Sequence, residues 1–92
     1  MKVIIRGYGD LKRVIGDRST VELKDDAKIS SLILELGGRV KGSRKAYLGG
    51  YNMESSTLVV LVNGRNIQTL NGVDTALKEG DFITFIPVVI GG

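Results

Sequence analysis

A chain of 92 residues with no histidine and no cysteine lacks the side chains that most often carry acid–base and thiol chemistry near neutral pH. Serine–histidine triads, thiolate nucleophiles, disulfides and histidine- or cysteine-based zinc sites are all excluded. With 42% hydrophobic and 25% charged residues, this is one ordinary globular domain, too small for a two-lobed enzyme cleft.

The net charge is a mild +3, with the positive excess in residues 1–53 and a slightly acidic remainder. Arg39, Lys41, Arg44 and Lys45 make the densest basic stretch. Tyr47 and Tyr51 are the nearby aromatics, and no nucleic-acid motif accompanies them. The stretch therefore reads as a solvated loop or a surface for a protein partner. The longest apolar runs fall far short of the roughly 20 residues of a membrane span. Arg6 breaks the first apolar stretch too early for a signal peptide. The expectation is a cytoplasmic protein with no membrane and no nucleic-acid partner.

Residues 2–9, KVIIRGYG, begin as a strand with Val3 and Ile5 on one side. A turn region follows, holding Gly9, Asp10, Gly16 and Asp17. In residues 19–24 Val21 and Leu23 alternate with Thr20, Glu22 and Lys24, which predicts a half-buried second strand and a hairpin. The period then changes. Ile29, Leu32, Ile33 and Leu36 form one apolar stripe on a helix over residues 26–36, with Asp25 or Asp26 as cap. Gly37-Gly38 weakens or ends it.

Residues 37–57 read as a long connection, with helical turns considered near Val40 or Ala46–Leu48. Within it GGRVKGSRK has Ser43 where a phosphate loop needs lysine, and no strand leads in, so that motif is rejected. LVVLV at 58–62 is an apolar central strand. Asn63-Gly64 after it is a type I′ hairpin signal, and Ile67 and Leu70 follow. Residues 73–81 suggest one helical turn, capped by Asp74 and stopped by Gly80. DFITFIP at 81–87 is the last strand, with Phe82, Thr84 and Ile86 on one side and Ile83 and Phe85 on the other. Regular pairing should end at Pro87.

Strand, strand, helix, strand, strand, short turn, strand is an α+β order. It predicts a mixed sheet with one main helix on one face, the pattern of a β-grasp, ubiquitin-like domain. By analogy the first and last strands would lie side by side and parallel. The expected layout is a body of residues 1–87 and a flexible tail of residues 88–92, VVIGG.

The end of the chain resembles the ThiS/MoaD family of ubiquitin-like sulfur carriers. The resemblance rests on Gly80-Asp81 at the start of the last strand, on Phe85, Ile86, Pro87 and Val88, and on the terminal Gly91-Gly92. Leu61-Val62-Asn63-Gly64 and the Ile29, Leu32, Ile33, Leu36 helix also fit. It covers nearly all of the chain apart from 37–57.

The resemblance implies that the Gly92 carboxylate is the working group. An adenylating activating enzyme would use ATP on it, and sulfur would then replace AMP to give a thiocarboxylate. Gly91 and Gly92 carry no side chain, so the backbone could pass a narrow channel into the partner. Val88, Val89 and Ile90, an apolar tail in need of cover, would contact the partner, as would Phe85, Ile86 and Pro87. Residues 88–92 span at most about 16–18 Å when extended.

The implied protein is no enzyme itself. It binds no cofactor and no metal, and acts with the activating enzyme and the large subunit of molybdopterin synthase. Many MoaD members carry two prolines and an aromatic residue before the tail. Here Val88 follows Pro87, Ile86 takes the aromatic place and Ile90 precedes the glycines, so the partner pocket would differ in shape. Length favours a molybdopterin-type carrier. A thiamin-pathway carrier, a modifier joined through Gly92 to lysines, and a plain β-grasp interaction module are the alternatives.

Overall fold

The computed structural model describes residues 1–9, 12–38 and 58–87. Strands β1 (Lys2–Gly7), β2 (Ser19–Glu22), β3 (Leu58–Val62), β4 (Arg65–Asn66) and β5 (Phe82–Pro87) form one mixed sheet. Its order is β2-β1-β5-β3-β4. The first and last strands run parallel at its centre, with Ile4 opposite Phe82 and Gly7 opposite Phe85. Helix α1 (Lys12–Ile15) is a single turn between β1 and β2, and helix α2 (Ile29–Gly38) is the main helix among the described residues. This is the expected ubiquitin-like β-grasp architecture.

The apolar periods explain the packing. Ile29, Leu32 and Leu36 of α2 are buried, and Ile33 is partly so. They meet the sheet's inner face, where Val3, Ile5, Val21, Val60, Ile83 and Phe85 show at most 1% exposure. Each such side chain contributes about 1.5–3 kcal/mol when fully buried. Ile15 of α1 joins the same core.

Several local expectations are corrected. Neither Asp25 nor Asp26 caps α2, which starts at Ile29. The Ile29 N–H donates to the Thr75 carbonyl at 3.0 Å, and the Lys28 N–H donates to Ser31 Oγ at 3.1 Å. A tertiary contact thus satisfies a donor that a local cap would otherwise take. The helix runs through Gly37 to Gly38, so the start of the supposed 37–57 connection is helical. Residues 39–57, with the turns considered there, lie outside the described residues.

The region before β2, read as a turn, contains α1. The helical turn expected at 73–81 lies earlier, as a 3-10 turn at Gly72–Asp74 with Asp74 at its end. Residues 75–77 instead pair with 27–29, through a Lys28–Ala76 bridge and the Leu77 N–H donating to the Ala27 carbonyl. Gly80, with φ 82°, forms the bend into β5.

Asn63 and Gly64 both adopt positive φ, 53° and 84°, as a type I′ hairpin requires. The Asn63 side chain also reaches the start of β5. Its amide donates to Asp81 Oδ1 at 2.9 Å, and its carbonyl accepts from the Phe82 N–H at 2.9 Å. Asp81 Oδ2 in turn accepts from the Lys78 N–H at 2.8 Å. Asn63 and Asp81 therefore tie two turns together at the end of the sheet where β5 begins. Asn63→Ala and Asp81→Ala should each lower stability by about 1–3 kcal/mol, and the double variant should lose less than the sum. Urea unfolding of the four proteins measures the cycle.

Candidate functional site

The far end of β5 is where the chain leaves the sheet. Alternation along the strand sorts the three described candidates. Phe85 has 0% exposure and belongs to the core. Its expected partner-contacting role is corrected, because a strand side chain facing the helix cannot also face a partner. Ile86 is half-buried on the opposite, outer face, beside Val59. Pro87 is half-buried at the strand's end, opposite Leu58 of β3. Val88, Val89, Ile90, Gly91 and Gly92 lie outside the described residues.

Ile86 belongs to a larger surface. Register places Ile4 beside Phe82, and Leu61 beside Thr84. Ile4, Val59, Leu61, Phe82 and Ile86 are thus all half-buried on the outer face of β1, β5 and β3. Among the described residues α2 covers the inner face, and these apolar side chains stand on the other side. Two arginines flank the strip. The Arg18 guanidinium lies 5.2 Å from the centre of the Phe82 ring, and that of Arg6 lies 4.8 Å from the Tyr8 ring. Such contacts hold a cation over an aromatic face without removing its charge.

The outer strip is not marked by a motif in the sequence, because it is assembled from three strands distant in the chain. Its signal was present. β3 is apolar at every position and β1 carries Ile4 between Val3 and Ile5, so both strands exceed what a one-sided strand needs.

No group of three or more acidic, histidine or cysteine side chains poised for a metal occurs among the described residues. No helix there is long and apolar enough to cross a membrane. A shallow hollow lined by Glu22, Asp26, Ser31 and Glu35, among others, lies at the inner edge near α2, away from the exit of β5.

The profile of the ThiS family matches residues 5–92. The chain belongs to the ThiS family. It is 30% identical over 97 residues to small archaeal modifier protein 3 of Haloferax volcanii, covering 100% of both chains. The solution structure of the Haloferax volcanii HVO 2177 protein superposes with a TM-score of 0.81 at 28% identity, over 100% of this chain and 87% of that one. A Pyrococcus furiosus protein described as a molybdopterin converting factor, subunit 1, matches with a TM-score of 0.73 at 28% identity, over 97% and 99%. The proteins it resembles are thus a small archaeal modifier and a converting-factor subunit.

In this ThiS-family protein the burial pattern separates stability from surface. Phe85→Ala should cost about 3–5 kcal/mol. Ile86→Glu should cost about 1 kcal/mol or less. Thermal or urea unfolding of both variants checks the contrast.

Proposed function

We propose that the protein is a sulfur carrier whose Gly92 carboxylate is activated by a partner enzyme and serves molybdopterin synthesis. The single observation that supports this most is the direction of β5. It ends at a half-buried Pro87 beside an apolar outer face, five residues before Gly92. The family profile runs to residue 92, which agrees with the terminal glycines as the working end.

The reaction balances as follows. A carboxylate oxygen of Gly92 attacks the α-phosphorus of ATP and pyrophosphate leaves. Hydrosulfide supplied by the partner then attacks the acyl carbon of the adenylate, AMP leaves, and loss of the sulfur's proton gives the thiocarboxylate. The thiocarboxylate formed carries the sulfur to the pterin precursor on a large synthase subunit. The chain's own part is to present the acid and to dock. Ile4, Val59, Leu61, Phe82 and Ile86 offer the apolar centre of the contact, and Arg6 and Arg18 at its margin favour a partner with an acidic rim. Ile86, Pro87, Val88, Val89, Ile90 and Gly91 continue that contact toward the reacting carbon. The Pyrococcus furiosus match, as subunit 1 of a converting factor, favours this pathway.

A second reading shares the first step. The full-length likeness to a small archaeal modifier protein favours transfer of the activated Gly92 carbonyl to a lysine amine of another protein, with an isopeptide bond formed. Adenylation is common to both readings, and the nucleophile that follows distinguishes them.

Incubation with the cognate activating enzyme, ATP and a sulfur donor should exchange one oxygen for sulfur at Gly92, seen by intact mass. Deletion of Gly92 should abolish this while leaving the unfolding curve unchanged. A truncated chain that still supports cofactor synthesis would refute the proposal. Conjugates to lysines in place of thiocarboxylate would select the modifier reading. Ile86→Glu should weaken binding to the activating enzyme by about tenfold or more, measured by calorimetry.

A further inference from the structure

The chain segment after β1 lies beside the exit of β5. Gly7 pairs with Phe85, and the Tyr8 N–H donates to the Phe85 carbonyl at 3.0 Å. Gly9 comes next, in the left-handed region with φ 57°. A Cβ at Gly9 would stand 3.1 Å from Pro87 Cγ and 3.9 Å from Cδ. The first distance is closer than ordinary carbon–carbon contact. The bare backbone of Gly9 thus lies against the Pro87 ring. On its other side Pro87 is paired with Leu58. The ring itself holds φ near −65°.

We propose that Gly9 is a positioning residue for the tail: its missing side chain lets Pro87 sit between Gly9 and Leu58, and this seat sets the direction in which the chain leaves β5. The proposal rests on the reading that Gly92 must thread into a partner. Over a reach of about 16–18 Å, an error of about 20° at Pro87 displaces the tip by about 6 Å. Pre-orienting the base of a threading segment lowers its ordering cost on docking, and misplacement of a reacting group is costly in rate.

Gly72 supplies a matched control. Its φ is 58°, almost that of Gly9, and a Cβ there meets nothing within 4 Å. Gly9→Ala and Gly72→Ala therefore place an alanine at the same left-handed φ, and one of them also pushes on Pro87. ATP–pyrophosphate exchange by the cognate activating enzyme, with the carrier varied, gives KM and kcat for each variant. Gly9→Ala should raise the KM for the carrier by about tenfold and leave the KM for ATP unchanged. Gly72→Ala should leave both unchanged.

In a Pro87→Ala background the effect of adding Gly9→Ala should shrink to about twofold or less, because the ring it strikes is gone. Backbone amide shifts of residues 84–86 should move in Gly9→Ala and stay in place in Gly72→Ala. Equal behaviour of the two glycine variants, or an undiminished Gly9→Ala effect without the ring, overturns the proposal. Should Gly9→Ala fail to fold, Pro87→Ala carries the test from the other side, and an unmoved Gly9 amide refutes the contact. If the unaltered protein supports no exchange at all, the tail reading fails, while the amide shifts still decide whether Gly9 places Pro87.

Discussion

The parallel pairing of β1 with β5 is the constraint on which the rest depends. It sets the first and last strands side by side, running the same way, at the middle of the sheet. Parallel neighbours cannot be joined by a tight turn. The intervening chain must cross the sheet, and α2 does so over the inner face. That face is therefore sealed by Ile29, Leu32 and Leu36, and the outer face retains half-buried apolar side chains. One topological choice thus produces both a core and an apolar outer strip.

The same pairing gives β5 two unlike ends. Its beginning is tied down through Asn63, Asp81 and the Lys78 N–H. These bonds lie at the opposite end of β5 from its exit, where they hold register. A one-residue slip would exchange the positions of Phe85 and Ile86 and put the aromatic ring in water. Motif residues that look like a functional signature, the Asn-Gly and Gly-Asp pairs, are in this fold structural ones. At the other end Pro87 is paired with Leu58 and lies against the bare backbone of Gly9.

The absence of histidine and cysteine fits this division of labour. In the proposed role the chain lends an acid group and a docking face, and the partner supplies the proton transfers and the sulfur. Among the described residues stability rests on a small apolar core, and the exposed Lys12–Asp17 pair at 3.8 Å contributes little.

Alternation and helical period made most elements legible in the sequence. The stripe on α2, the two faces of β5 and the Asn63-Gly64 turn each depend on neighbours within a few residues. The terminal Gly91-Gly92 was likewise legible, and so were the chemistries that missing side chains exclude. What tertiary structure alone decided involves partners distant in the chain. Thr75 replaces Asp25 or Asp26 at the start of α2, because a carbonyl more than forty residues away reaches the Ile29 N–H. Phe85 is core, since the helix chose that side of β5. Gly9 meets Pro87 because the parallel pairing lays one beside the other. Local pattern states which side chains share a face; only packing states which face is covered and what lies against it.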